Sequence, residues 1–129
     1  MADGRSIHPD ALPNCHNAEI ARDKLEGYAQ NTNHESARSG GSSGKNKARV
    51  FKAALGFDQS NWEILKQRIL DELPYHHSVF EAEKENWGKA YHVDVPIMGV
   101  NGNTKSVRTA WIIRHGKDHP SLVTLWVLP

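Results

Sequence analysis

The residues of this 129-residue chain best suited to moving a proton or gripping an anion are gathered in one polar stretch, His34 to Lys47. His34 has no apolar neighbour in sequence, and an exposed imidazole titrates near neutrality, where it serves as general acid or base. At the far end of the stretch, Gly44-Lys45-Asn46-Lys47 opens a predicted helix. Free backbone N–H groups and the helix dipole favour an anion there, and Lys45 and Lys47 add charge, so phosphate is the natural guest. The spacing is not that of a P-loop: three residues rather than four separate Gly40 from Gly44-Lys45, and Asn46 stands where a hydroxyl is required.

A second set lies in the C-terminal half. The stretch Lys105 to Arg114 reads as a strand with Arg108, Thr109 and Trp111 at its centre. In the preceding strand, Tyr91, Val93, Val95 and Ile97 should face the core, which places His92 and Asp94 on the open face. Their relation to Arg108 and Thr109 depends on the connection. A two-residue Asn101-Gly102 turn sets Asp94 opposite Thr109 and puts Thr109 and Trp111 on the open face; a three-residue loop or a bulge shifts the pairing by one and exposes Arg108 instead. Both alternatives stand at this point. Thr124, in the last strand, offers a hydroxyl to a phosphate clamp, Trp111 or Trp126 a surface on which a base could stack, and Arg49 and His92 further contacts for substrate.

Other chemistries find no motif. There is no His-Glu-x-x-His, no Cys/His zinc spacing, no dinucleotide glycine motif and no nucleophile elbow. The one cysteine, Cys15, precludes an internal disulfide and reads as a bystander near the N-terminus. No apolar run approaches the ~20 residues that span a bilayer. Net charge is +1, but the charges are unevenly spread. Arg38, Lys45, Lys47, Arg49 and Lys52 form a basic edge without an acid among them, while carboxylates gather between Glu63 and Glu85.

The elements that must position these residues change period midway. Residues 1–16, with Pro9 and Pro13, read as an irregular arm, and residues 17–129 as a single domain. Apolar residues at helical spacing predict helices over 18–30, about 45–55 with Gly56 at its C-terminal stop, and from a Ser60/Glu63 capping box to Pro74 with Trp62, Leu65, Ile69 and Leu73 inward. Beyond Pro74 the period becomes two. Strands are predicted over 78–84, 89–97, 105–114 and 121–128, joined by short turns. The expected fold is α+β: three N-terminal helices packed on one face of a four-stranded antiparallel sheet.

The run KLEGYAQNTNHESARSGGSSGKNKARVFKAALGF, the NW that opens the third helix, VRTAWII and PSLVTLWVL together resemble a C-terminal domain of bacterial polymorphic toxins, over roughly residues 17–128. Such domains belong to contact-dependent inhibition and Rhs-type effectors, and this one looks like the barnase, EndoU, colicin and RelE-like ribonuclease group. The resemblance implies a metal-independent ribonuclease without a cofactor that cleaves RNA, transfer RNA above all, through attack of the 2′-OH. It also implies a cognate immunity protein, delivery as the C-terminal part of a larger secreted or surface effector, and action in the target-cell cytoplasm. On this reading His34 does acid/base work, Lys45, Lys47 and Arg108 stabilise the phosphorane, and Thr109 and Thr124 orient phosphate oxygens. A non-catalytic module that binds nucleic acid or protein, and a metal-dependent nuclease, are the alternatives.

Overall fold

Short turns between alternating stretches leave neighbouring strands little choice but to pair antiparallel. In the computed structural model, which describes residues 5–21, 49–58 and 60–129, they do so in sequence order. β1 (Ser78–Lys84), β2 (Gly88–Met98), β3 (Thr104–Arg114) and β4 (Ser121–Val127) form one sheet, β1-β2-β3-β4. The chain is α+β. Among the described residues there are two α-helices rather than three: α1, helical over 49–55, and α2, Trp62–Glu72.

The start of the helix expected over 18–30 is extended instead. Glu19 bridges Ser121 in parallel, its N–H donating to Pro120 O at 2.8 Å and its carbonyl accepting from Leu122 N at 2.9 Å. Backbone pairing with β4 satisfies these groups better than an isolated first turn, and it carries Ile20 into the core. The rest of that expected helix lies outside the described residues.

α1 ends as its sequence requires. Gly56 has φ 78° and its N–H bonds Lys52 O at 2.9 Å, the single bond of an αL stop, while Phe57 N–H reaches Phe51 O at 3.4 Å. The anticipated Ser60/Glu63 capping box does not form. Ser60 turns back to Asp58, donating from N and Oγ at 2.8 and 2.6 Å, and Asn61 takes the N-cap position without a side-chain cap bond. The predicted stripe does face inward: Leu65, Ile69 and Leu73 are buried, and Trp62 packs against them. After Glu72 the chain tightens into a 3-10 turn, Leu73–Tyr75, that accommodates Pro74.

The core lies between these helices and the inner sheet face, Val93, Val95, Ile97, Val107, Trp111, Leu122 and Leu125. Each such aliphatic side chain contributes about 1.5–3 kcal/mol through burial. Gly99, just after β2, lets α1 approach: a Cβ there would stand 2.2 Å from Leu55 O. The N-terminal arm is irregular yet integral. Ser78 N–H donates to Asp10 O and His8 N–H to Pro74 O, both at 2.8 Å, while Leu12 and Cys15 enter the core. Cys15 is therefore a packing residue rather than a bystander, and burial raises its thiol pKa. No helix among the described residues is long and apolar enough to cross a membrane.

Candidate functional site

The connection between β2 and β3 decides which residues face outward. It spans residues 99–103 rather than a two-residue turn, closed by Gly99 N–H to Asn103 O at 2.6 Å and tied to α1 by Asn101 Nδ2 to Ala54 O at 3.2 Å. The resulting register pairs Val95 with Val107, Asp94 with Arg108 and Val93 with Thr109. Arg108 thus shares the open face with His92 and Asp94, and Thr109 and Trp111 point into the core. Their expected contact with substrate is corrected accordingly. Thr109 is fully buried, its hydroxyl donating to Val93 O at 2.7 Å and accepting from Trp111 Nε1–H at 2.8 Å. The pair satisfies its own polar atoms, as a buried pair must.

Two β-bulges shape the open face, and they fall at the same level. Glu81 is the extra residue of β1 between Phe80↔Tyr91 and Ala82↔Ala90; Val123 is the extra residue of β4 between Ala110↔Thr124 and Trp111↔Leu122. They flank the rung where Tyr91 meets Trp111. A bulge sharpens local twist and re-aims its side chain, so one at each edge hollows the face between them. The hollow holds about 220 Å³. Ala90, Ala110 and buried Ile112 line it together with Val123, Trp87 and Trp126, as do the charged or polar Glu81, Lys84, His92 and Arg108 and the Tyr91 and Trp111 of the rung between the bulges.

Bulging also brings Glu81 to His92. The carboxylate bonds His92 Nδ1, and among the described residues Nε2 makes no hydrogen bond. Two rungs along, on the same face, Arg108 binds Asp94 in parallel, Nε to Oδ1 at 2.8 Å and Nη2 to Oδ2 at 2.9 Å. This bond from Arg108 holds the Asp94 carboxyl below the ordinary carboxylate range and, reciprocally, raises the guanidinium pKa. Nη1 remains outside the fork, so Arg108 keeps N–H donors for an anion while bound to Asp94. His92 lies opposite Ala110 and is therefore a diagonal neighbour of Arg108, roughly 7–8 Å away across the pair of strands. The arrangement joins an oriented imidazole, a guanidinium and an aromatic-walled hollow. It is suited to a flat ligand that carries an anionic group.

The sequence profile of DUF6883, described as a domain of unknown function, matches residues 11–129. The chain belongs to the DUF6883 family. No curated protein matches the chain. The DUF6883 match begins before Leu12 and Cys15, in keeping with their place in the core.

Of the residues singled out from sequence in this DUF6883 chain, the structure brings together His92 and Arg108. Thr124 shares their face, opposite Ala110, and Trp126 stands opposite Arg108. Arg49 is exposed on α1 and does not line the hollow. His34, Lys45 and Lys47 lie outside the described residues. His92 and Asp94, adjacent on one face, do not act on one another by hydrogen bond; each has a partner on the next strand. Glu81 and Trp87 escaped the sequence reading. Trp87 carried a signal nonetheless, because a tryptophan set among Glu85, Asn86 and Gly88 stands in a turn, outside the apolar alternation of the strands; it is 52% exposed. Among the described residues no group of three or more His, Cys, Asp or Glu could hold a metal ion.

Proposed function

We propose that this chain is a metal-independent endoribonuclease whose reaction takes place on the open sheet face. The observation that carries the proposal is the Glu81-bound imidazole of His92 beside the Arg108 guanidinium. A carboxylate on Nδ1 fixes the ring and its tautomer, leaving Nε2 to accept the proton of a ribose 2′-OH. The freed oxygen attacks the adjacent phosphorus, the bond to the 5′ oxygen breaks, and a 2′,3′-cyclic phosphate remains. Arg108 Nη1 faces the charge that builds on the phosphorane. His34 is the sequence's candidate for returning a proton to the departing 5′ oxygen, with Lys45 or Lys47 and Thr124 as further phosphate contacts. Only RNA carries the internal nucleophile. The resemblance to polymorphic-toxin domains extends the proposal to transfer RNA as target, to a cognate immunity protein, and to three helices on the inner sheet face.

Incubating the purified chain with total transfer RNA in EDTA tests the proposal. Products ending in a 2′,3′-cyclic phosphate are expected, and intact RNA at enzyme excess refutes it. Cleavage appearing only on addition of Mg²⁺ or Zn²⁺ also refutes it, in favour of a metal nuclease. One observation favours a second reading, a non-catalytic nucleic-acid-binding module: the exposed Trp87 and the aromatic-walled hollow could hold a base without any proton transfer. Retained RNA that is never cut would select that reading.

A further inference from the structure

We infer that the hollow between the two bulges takes a single nucleobase, that of the nucleotide on the leaving side, whose 5′ phosphate meets His92 and Arg108. The inference rests on the ribonuclease reading and adds a base-recognition site to it. Three observations argue for this occupant. Alanines at 90 and 110 keep the lining low, while Trp87 and Trp126 supply aromatic walls, which leaves a slot suited to a flat ring rather than a branched aliphatic chain. At about 220 Å³ the slot is smaller than the roughly 300–1,000 Å³ of sites that hold drug-sized ligands, so it suits one ring system and not a dinucleotide. Its guanidinium is carried at a fitting place: Ala110 and Arg108 are two residues apart on β3, a backbone spacing of roughly 7 Å, about the reach from a base to its own phosphate.

Trp87 is the decisive residue. It stands in the β1–β2 turn, held by Trp87 N–H to Lys84 O at 3.0 Å and by its carbonyl, which accepts from His115 N at 3.1 Å. His115 Nε2 also reaches Lys84 O and Glu85 O, at 3.2 and 2.8 Å. The turn is thus fixed by backbone contacts and leaves the indole on the surface. An aromatic wall with a fixed backbone loses little freedom when a base stacks on it.

The test titrates the full chain with adenosine 5′-monophosphate, adenosine and ribose 5-phosphate, read by calorimetry. The monophosphate should bind tightest and adenosine more tightly than ribose 5-phosphate. Trp87→Ala should weaken adenosine and the monophosphate by about 5- to 100-fold and leave ribose 5-phosphate unchanged. Trp87→Phe should restore most of the loss. Arg108→Ala should do the converse, weakening both phosphates and sparing adenosine. Equal affinity for the monophosphate and ribose 5-phosphate overturns the inference, as does an unchanged monophosphate affinity in Trp87→Ala. Binding of N-acetyltryptophanamide as tight as that of adenosine overturns it too, because the slot would then be a generic apolar one. Cleavage of transfer RNA is scored separately: nucleobase binding without cleavage removes the ribonuclease reading alone, and cleavage indifferent to Trp87 removes the base site alone.

Discussion

Replacing Thr109 by valine separates a structural hydroxyl from a catalytic one. The substitution keeps the shape and deletes one oxygen, which donates to Val93 O at 2.7 Å and accepts from Trp111 Nε1–H at 2.8 Å in a site closed to water. One hydrogen bond of about 1 kcal/mol disappears, and the indole N–H is left buried without an acceptor, at about 1–3 kcal/mol. The added methyl group and the strand preference of valine return a fraction of that. The expected net loss is about 2–3 kcal/mol, which for a domain of this size lowers the melting temperature by about 6–12 °C. Urea unfolding followed by circular dichroism measures it. Trp111→Phe removes the orphaned donor, so the double variant should be less destabilised than the sum of the two singles, by about 1–2 kcal/mol. Because the hydroxyl faces the core, RNA cleavage at 25 °C should stay within about twofold of the parent. Full stability combined with lost cleavage would refute the reasoning, since the hydroxyl would then be acting on substrate.

Other outcomes follow from the same geometry. His92→Ala should reduce cleavage of transfer RNA in EDTA by at least about 100-fold and Glu81→Gln by about 10-fold, with melting temperatures near that of the parent. Asp94→Asn should free Arg108 and tighten RNA binding about threefold at low salt, measured by filter binding; weaker binding would remove Arg108 from the phosphate contact. Leu12→Ala should cost about 3 kcal/mol in urea unfolding, because the arm belongs to the core; an unchanged midpoint would make the arm dispensable. His119 bonds Asp118 and Glu19, which raise its pKa above 6.5, so its contribution to stability is complete below about 6.5 and is lost as pH rises through the folded value. Protection of residues 19–21 against hydrogen exchange, relative to the intrinsic rate at each pH, should fall over that rise, and His119→Gln should flatten the dependence.

The strands were legible because their alternation is long and their turns carry Asn and Gly; β1 was predicted with the bounds it has, and the other three within a residue at either end. The end of α1 was legible for a similar reason, since Gly56 allows a positive φ that other residues resist. Local pattern could not decide which of Arg108 and Thr109 faces outward. That choice turns on a five-residue loop whose length is set by Gly99 packing on Leu55 and by Asn101 bonding Ala54, contacts distant in sequence. Nor could it reveal the capping of α2, where Asp58 captures Ser60 before the helix can use it. Glu19 looked helical and instead pairs with Ser121, a partner far along the chain. Glu81 was hidden more deeply, because a glutamate on an edge strand looks like any solvated charge until the bulge turns it toward His92.

The paired bulges also separate what makes the sheet from what shapes it. Removing Val123 would join Leu122 directly to Thr124, and every remaining residue of β4 would keep its partner and its face; removing Glu81 would do the same for β1. A one-residue deletion elsewhere in either strand turns the residues beyond it inside out. At these two positions alone in β1 and β4, chain length can change while the pairing stays whole, so insertion and deletion there are a means of switching the outer face between flat and concave on an unchanged scaffold.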